Sequence, residues 1–378
     1  MTSPTPTQPE SIDARRRRRL VVAVAVVTLL AAWVSFKWPA YTFVAWRPPP
    51  ARDVPASPLL DAATRLGEAT LPQPEDILAD GSGGILAACA DGVIRRVDPS
   101  GGIATFATTG GRPLGMAWAL GSRELLVADA VRGLLRVDGA GAVRVLVDSF
   151  EGRKLRLVDD VAVAPDGMIY FSDATARRGV HDDLRLEMAS HDPTGQVLAV
   201  YPSGRVTRLV GGLYFANGVA ISPSGRHLLV NETAAYRIQR CGLHGSERGR
   251  CEVWIDRLPG LPDNLRISPR STVWVALVAP RRAILDDLIH PYVAAKWAMA
   301  MAPGWLLPKA ELRGQVLEVD QPDAPHGTAL RLLQAPAGAY AMSTSAREVD
   351  GVLWLGHIDA RQGGVLRVNL PERPTGSR

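Results

Sequence analysis

The chain has 378 residues, and 47% of them are hydrophobic, which is enough to bury a large core. Gly and Pro are scattered along the chain rather than concentrated in blocks, a composition that suits many short strands joined by turns and argues against a disordered protein. The formal net charge of +5 matches a single run of five arginines, Arg15 to Arg19, so the remaining chain is nearly neutral and nucleic acid is excluded as a partner.

The N-terminal segment is predicted to hold the protein on a membrane. Residues 1–19 are expected to be a disordered basic stretch. Residues 20–38 are expected to be a transmembrane signal anchor, because the charge-free run from Leu20 to Phe36 has arginines before it and aromatic residues after it. The arginines predict a single-pass protein with a cytoplasmic N-terminus and the following domain on the extracytoplasmic side. A cleaved signal peptide is the alternative. Residues 39–64 are Pro-rich and predict a linker.

The chain then repeats a short motif of two strands joined by a turn. The six copies read ILADGSGGILAACADGVIRRVD, LGMAWALGSRELLVADAVRGLLRVD, VDDVAVAPDGMIYFSDAT, ANGVAISPSGRHLLVNET, PDNLRISPRSTVWVALV and MSTSAREVDGVLWLGHID. Most copies lie about 40–60 residues apart, the length of a four-stranded propeller blade. We therefore predict an all-β fold, a six-bladed β-propeller over residues 65–372 with a tail at 373–378. A β-sandwich would give similar local signals. The ring is expected to close by pairing an early strand with the last blade, which ends in GGVLRVNL.

The three cysteines fall within the repeats. Cys89 lies in an apolar, strand-like run and is predicted to be a buried thiol. Cys241 and Cys251 flank the turn-rich stretch GLHGSERGR, and two strands leaving such a turn could bring them face to face. A disulfide between these two is one alternative in an oxidising compartment, and two free thiols are the other.

Residues 281–311 interrupt the repeat with apolar residues at helical spacing, and they predict a short helical insertion. One interpretation is a helix packed on the propeller. The other is an apolar lid or membrane-facing flap over the mouth of the channel. Trp297 and Trp305 of this insertion, together with Tyr214, are the candidates for the substrate pocket or its lid.

In several repeats, polar residues stand just before or at the start of the first strand, at equivalent positions of the repeat. They are Glu75 and Asp76, Asp159 and Asp160, Asn217, and Asp263 and Asn264. If the propeller closes, the innermost strands bring these side chains together at the channel. A set of carboxylate and amide oxygens suits Ca²⁺ or another hard divalent cation, whereas the lack of Cys and His argues against zinc. The alternative is that these residues only cap strands and form turns.

Several segments resemble a known group of proteins. PEDI, VDDVAVAPDGMIYFSDA, GLYFANGVAISPSGRHLLVNET and LPGLPDN are similar to the strictosidine-synthase-like branch of the calcium-dependent phosphotriesterase, gluconolactonase and paraoxonase superfamily. The adipocyte plasma-membrane-associated proteins are similar too and share the N-terminal anchor. The resemblance covers roughly residues 65–370. It implies a six-bladed propeller with calcium in its channel.

The resemblance also implies roles for individual residues. Glu75, Asp159, Asn217, Asp263 and Asn264 match the positions that hold the catalytic metal in paraoxonase-like members, although those members often have Asn where Asp159 stands. Asp76 and Asp160 match positions near a second, structural calcium in paraoxonases.

Two departures from the family pattern affect the expected chemistry. The paraoxonase segment equivalent to RPLGMAW carries a histidine that serves as a base, and Leu114 occupies its place here. Strictosidine synthase has a glutamate four residues before an E-x-D-G motif. In this chain the motif begins at Glu348, and the earlier position is Thr344, which weakens the case for a strictosidine-type synthase.

Two functions follow from these observations. The first is a calcium-dependent hydrolase of small hydrophobic lactones or aryl esters, in which Asp159 or Asp263 activates water or attacks as a nucleophile. The second is a non-catalytic, membrane-tethered binding module with structural calcium, because a propeller fold does not fix a function.

Overall fold

The N-terminal region begins with a helix. The computed structural model describes residues 12–37, 41–308 and 311–372. Helix α1 (Ile12–Lys37) takes in the arginine run, so the prediction of disorder through residue 19 is wrong from Ile12 onwards. Arginine is a good helix former, and the run continues directly into the apolar sequence. Residues 1–11 and the tail at 373–378 lie outside the described residues.

Within the described part of the chain, none of the helices has the length and apolar character needed to cross a bilayer. The transmembrane anchor predicted at 20–38 is therefore not supported.

The remainder of the chain forms a six-bladed β-propeller, as predicted. Two short strands come first: β1 (Ala56–Ser57) and β2 (Thr64–Leu66). Blade 1 comprises β3 (Ile77–Ala79), β4 (Ile85–Ala88), β5 (Val93–Val97) and β6 (Ile103–Thr108). Blade 2 comprises β7 (Pro113–Trp118), β8 (Leu125–Asp129), β9 (Gly133–Val137) and β10 (Val143–Val147). A small hairpin of β11 (Ser149–Phe150) and β12 (Arg153–Lys154) follows.

The second half of the ring has the same design with a longer helical insertion. Blade 3 comprises β13 (Val158–Val163), β14 (Ile169–Asp173), β15 (Gly195–Val200) and β16 (Val206–Leu213), with helix α2 (Leu184–Ser190) between β14 and β15. Blade 4 comprises β17 (Ala216–Ile221), β18 (His227–Glu232), β19 (Arg237–Gly242) and β20 (Cys251–Ile255). Blade 5 comprises β21 (Gly260–Ile267), β22 (Val273–Pro280), β23 (Gln315–Asp320) and β24 (Thr328–Gln334). Blade 6 comprises β25 (Ser343–Val349), β26 (Val352–His357) and β27 (Val365–Asn369), with β2 added at its edge.

The core is divided into layers between neighbouring blades. The second strand of a blade reads as a continuous apolar run because it is covered on both faces; β8 and β14, for example, are buried along their whole length. One apolar cluster packs between blades 3 and 4, around Tyr170 and Leu228, and five others fill the remaining blade junctions around the ring. Each blade is therefore stabilised mainly by its two neighbours.

The ring closes as the sequence predicts. Strand β2 pairs antiparallel with β27, with Thr64 opposite Arg367 and Leu66 opposite Val365. The last sheet thus joins the start of the propeller to its end, because a strand that precedes blade 1 forms the outer edge of blade 6.

Residues 41–63 do not form the predicted free linker and are packed along the propeller. The N–H of Val44 donates to the Ser190 carbonyl and the N–H of Trp46 to the His290 carbonyl, each over 2.9 Å. Strand β1 then pairs in parallel with β24. We call residues 41–63 the strap. Its aromatic residues find apolar partners on the ring, and this packing outweighs the Pro-rich composition that indicates a tether.

The predicted insertion is present and helical. It contains a π-helical segment (Ile284–Ile289), helix α3 (Val293–Met301) and a 3₁₀ turn (Gly304–Leu306) between β22 and β23. Met299 and Leu307 pack with Phe43 of the strap and Leu186 of α2 in one buried cluster. The insertion, the strap and α2 thus form a single cap on the propeller.

In blade 4, Cys241 and Cys251 lie directly opposite each other on β19 and β20 and form a disulfide with Cα atoms 4.0 Å apart. This settles the alternative that the sequence leaves open. Cys89 is a buried free thiol, as predicted.

Candidate metal centre

The innermost strands carry one recurring irregularity where they meet the channel. In β13 the pairing register shifts across Asp159 and Asp160, in β17 across Asn217, and in β21 across Asp263 and Asn264. Strands β7 and β25 have the same shift. A β-bulge re-aims side chains and is common beside functional sites. Here it places one residue of each bulge at the cavity and leaves the next residue below it.

A ring of six equivalent positions results, one from each blade. Its members, in blade order, are Glu75, Leu114, Asp159, Asn217, Asp263 and Thr344, and all six line one cavity. The inner strands approach closely at this level. A Cβ placed on Gly218 would lie 2.7 Å from the Asn264 Cα, so glycine is required after Asn217.

Three carboxylates of this ring converge. Glu75, Asp159 and Asp263 each offer an oxygen, and these three oxygens lie within 4.8 Å of one another. All three residues are buried, with 3%, 4% and 7% of their surface exposed. Three negative charges in so small a buried volume repel one another strongly unless a cation or protons neutralise them.

Two amides complete an oxygen-only set. The Asn264 amide nitrogen donates to Glu75 Oε1 over 2.7 Å, and the Asn217 side chain hydrogen-bonds the Asp263 carboxylate. Within the described residues, Asn217 Oδ1, Asn264 Oδ1 and Glu75 Oε2 are buried and have no hydrogen-bond partner. Buried oxygens without donors are costly, and a hard cation would satisfy all of them. The five residues predicted to hold the metal therefore lie together and fit a divalent cation.

The electrostatics of the centre also favour a bound cation. Burial, together with the neighbouring carboxylates of Asp263 and Asp159, raises the pKa of Glu75 well above its ordinary value. Burial and Asp263 do the same for Asp159. Burial raises the pKa of Asp263 from 3.8 to about 8, although the hydrogen bond from Asn217 opposes this change. In the absence of a cation the centre therefore retains protons at pH values where exposed carboxyls are ionised.

The structure does not favour the predicted second metal site. Asp76 and Asp160 do lie below the ring, but the guanidinium of Arg266 is placed between them, 2.8 Å from Asp76 Oδ2 and 2.6 Å from Asp160 Oδ2. A second cation would have to displace this arginine. The sequence signal for this contact is the arginine between Leu265 and Ile267 on an innermost strand.

Above the centre lies a cavity of about 750 Å³, a volume in the range of small-molecule sites. Its wall is largely apolar. The wall residues from the ring side and the cap include Leu114, Leu157, Phe215, Leu285, Met299 and Leu307. The insertion thus contributes directly to the cavity, in agreement with the lid interpretation.

The predicted pocket aromatics are not among the residues that line this cavity. The Tyr214 ring stacks on His191, with 4.1 Å between centroids, and Trp297 packs edge-on against Phe43 at 4.9 Å. Trp305 is 75% exposed. These rings stabilise the cap or face solvent, and the aliphatic residues of the insertion take the pocket role instead.

Sequence reasoning also missed Arg112 and helix α2. Arg112 lines the cavity near Glu75, its Nη1 is buried without a hydrogen-bond partner, and no carboxylate of the described residues lies at ion-pair distance from it. It directly precedes β7, one of the innermost strands, which was the available signal. Helix α2 contributes Leu184, Met188 and Ala189 to the wall, but its short sequence has no distinctive periodicity.

The two residues that differ from the family pattern, Leu114 and Thr344, both belong to the ring of six equivalent positions. Leu114 is buried at the blade 2 position and offers no proton-accepting group. Thr344, at the blade 6 position, donates its hydroxyl to the Glu75 backbone carbonyl over 2.7 Å. It therefore helps to position Glu75.

Comparison with known proteins agrees with this geometry. A family model described as SMP-30/Gluconolactonase/LRE-like region matches residues 89–286. Among curated relatives, Protein STRICTOSIDINE SYNTHASE-LIKE 6 of Arabidopsis thaliana is 34% identical over 270 residues, which is 69% of this chain and 71% of the relative. The adipocyte plasma membrane-associated protein of Gallus gallus is 33% identical over 338 residues, covering 82% of this chain and 79% of the relative.

Solved structures share the fold at low sequence identity. A gluconolactonase from Xanthomonas campestris aligns with a TM-score of 0.56 and 18% identity, covering 87% of this chain and 99% of that one. A calcium-binding protein, regucalcin, from Agrobacterium tumefaciens aligns with a TM-score of 0.55 and 16% identity, over 88% and 96% of the two chains. At this identity the likeness establishes the propeller fold alone.

Proposed function

Because the chain belongs to the SMP-30/gluconolactonase/LRE-like family, we propose that it is a hydrolase of lactones or aryl esters that depends on calcium or another divalent cation. The observation that carries this proposal is the position of three buried carboxylates and three partnerless oxygens at the floor of an apolar cavity. Such a floor gives a substrate carbonyl one polar place to bind, while the walls accept its hydrophobic part.

A cation held by Glu75, Asp159, Asn217, Asp263 and Asn264 would polarise the carbonyl and stabilise the negative charge that develops on its oxygen. The chain's own groups supply the proton transfer. The Asp159 or Asp263 carboxylate accepts a proton from the attacking water, or attacks the carbonyl carbon itself as a nucleophile. Asn217 donates to the Asp263 carboxylate and thereby holds one of its oxygens in place.

The substrate class follows from the walls. Leu114, Phe215 and Met299 present no charge to the bound molecule, so a small hydrophobic ester or lactone fits better than a sugar lactone with many hydroxyls. Three arginines also line the cavity, and they are Arg112, Arg185 and Arg282. In this proposal Arg112, which interacts electrostatically with Glu75, attracts the carboxylate that hydrolysis releases.

The test is a panel of alkyl lactones and aryl acetates, assayed on the purified full-length protein with calcium and after treatment with EDTA. We expect turnover with calcium, loss of turnover with EDTA, and loss of turnover in Asp159→Asn and Asp263→Asn. Asp287→Asn, an exposed residue of the insertion, is the matched control and should retain full activity. Full activity after EDTA treatment would refute the mechanism.

A non-catalytic binding module is the second candidate, and Leu114 favours it. An apolar side chain takes the ring position at which the resemblance implies a histidine base. In that case Asp263→Asn would weaken calcium binding and lower the thermal midpoint with no turnover lost, because the wild-type protein would turn over no member of the panel.

We also propose that the N-terminal region contacts membranes. The apolar side chains of α1 are exposed, with Leu20 at 66% and Leu29 at 70%, and they follow the arginine run. Exposed apolar residues next to arginines favour an anionic lipid surface. Co-sedimentation with phosphatidylserine vesicles should be lost on deletion of residues 1–40. If the deleted protein binds these vesicles equally well, the proposal is wrong. The side of the membrane on which the propeller lies stays a prediction.

A further inference from the structure

Directly below the metal centre, one arginine is buried between two carboxylates from other blades. Arg266, on β21, has 7% of its surface exposed. Its Nη1 donates to Asp160 Oδ2 over 2.6 Å, and its Nη2 donates to Asp160 Oδ1 and to Asp76 Oδ2, each over 2.8 Å. One guanidinium therefore joins blades 5, 3 and 1 across the channel, with a bidentate bond to Asp160.

The two carboxylates extend this network to the remaining blades. Asp160 Oδ2 also accepts from the backbone N–H of Val219 in blade 4, and Asp76 Oδ2 accepts from Met116 in blade 2, over 2.8 and 2.9 Å. The Arg347 guanidinium of blade 6 lies 3.9 Å from Asp76 Oδ2. All six innermost strands thus contact one charged layer, in which two carboxylates face two arginines.

This layer is linked to the metal ligands through the backbone. Asp76 follows Glu75 in the chain, Asp160 follows Asp159, and Arg266 lies two residues after Asn264. The bulge in β13 separates Asp159, which lines the cavity, from Asp160, which bonds Arg266 in the layer below, and Glu75 and Asp76 are divided in the same way. Any movement of the lower layer must therefore move Glu75, Asp159 and Asp263 as well.

We propose that Arg266 acts as a built-in cation, a positioning residue that sets the spacing of the metal ligands and fills the place of a second metal ion. Three consequences follow. The channel binds one divalent cation. The propeller stays closed when that cation is removed. Loss of the guanidinium both weakens the upper site and leaves an acidic space below it that accepts a second cation. The inference rests on the cation site of the proposed function, and it does not depend on the substrate.

The test compares calcium binding by isothermal titration calorimetry in the wild-type protein and in Arg266→Met, which keeps an unbranched apolar side chain and removes the guanidinium with its charge. We expect one calcium per wild-type chain. In Arg266→Met we expect the first site to be weakened about tenfold or more, as for other residues that orient metal ligands, and a second calcium to bind. The matched control is Arg270→Met. Arg270, in the turn that follows β21, forms a partly buried ion pair with Glu348 of blade 6, away from the metal ligands, and its loss should leave calcium binding unchanged.

A triple variant, Arg266→Met with Asp76→Asn and Asp160→Asn, covers the case in which the single variant fails to fold. It removes all charge from the three residues and keeps the shape of the two acidic ones, and it should bind one calcium with reduced affinity. Two ions per wild-type chain would overturn the inference. So would wild-type affinity together with a single ion in Arg266→Met, or wild-type affinity in the triple variant where the single variant does not fold. All three results leave the proposed cation site intact, whereas no calcium binding by the wild-type protein would refute that site and this inference with it.

Discussion

The protonation of the metal centre leads to a sharp prediction about Asp263. Burial raises the pKa of this carboxyl from 3.8 to about 8 in the cation-free protein. The folded state therefore binds a proton that the unfolded chain has released. The stabilisation is fully present below about pH 4, and it is lost as the pH rises towards 8. The difference between the two pKa values corresponds to on the order of 5 kcal/mol of unfolding free energy.

The perturbation is Asp263→Asn, which resembles the protonated carboxyl in shape and cannot ionise. In EDTA at about pH 4 the wild-type protein and the variant should have nearly equal stability. At about pH 8.5 the variant should be more stable than the wild-type protein by several kcal/mol, because its folded state carries no buried charge at this position. Saturating calcium should reverse the order at pH 8.5, since a cation stabilises the ionised carboxylate that only the wild-type protein possesses.

The assay is urea unfolding, followed by tryptophan fluorescence, across this pH range in EDTA and in calcium. The difference between the two proteins is the informative quantity, because titrating groups away from the centre contribute equally to both. Loss of the Asp263 charge also lowers the raised pKa values of Glu75 and Asp159, and this stabilises the variant at alkaline pH in the same direction. Asp287→Asn serves as the control and should follow the wild-type curve at every pH. The buried-carboxylate reasoning is refuted if the difference in unfolding free energy in EDTA is constant with pH. It is also refuted if the wild-type protein becomes more stable relative to the variant at alkaline pH.

Three further predictions concern other parts of the molecule. Replacing Cys241 and Cys251 by serine should lower the unfolding free energy by about 2.5 kcal/mol, given their separation of 10 residues, and reductant should then have no further effect on the urea midpoint. Trp46→Ala, which removes a ring stacked on His191 at 4.1 Å, should destabilise the strap by on the order of 2 kcal/mol and speed proteolysis between residues 41 and 63; unchanged cleavage would contradict the packing described. Asn264→Ala should weaken calcium binding about tenfold, measured by calorimetry, because it removes an oxygen ligand and the donor to Glu75.

The ring and its ligand set could be predicted because both are repeated. The first strand of each repeat keeps the same phase, so Asp159, Asn217 and Asp263 occupy corresponding places in three blades, and closure of the ring brings them together. The closing pair, β2 with β27, was also predictable, since without it the last blade would leave β27 as an exposed edge strand.

What the sequence did not predict depends on contacts between distant residues. Asp76 and Asp160 have the composition of a second cation site, and only the fold shows that Arg266 is placed between them. The strap resembles a tether in composition, and its partners on α2 and the insertion are more than a hundred residues away. The prediction that Tyr214 and Trp297 line the pocket depends on residue type alone. In the fold, the Tyr214 ring packs on His191 and the Trp297 ring packs on Phe43.

The pairing of β2 with β27 has a consequence for how the protein is made. Thr64 and Arg367 are 303 positions apart, so the sheet of blade 6 cannot be completed until nearly the whole chain has left the ribosome. Until then the faces at which blades 1 and 6 pack against each other are not fully covered. The nascent protein therefore exposes unpaired, aggregation-prone strand edges during its synthesis. A premature stop within the last dozen residues of the propeller would therefore produce an aggregating product even though five blades are intact.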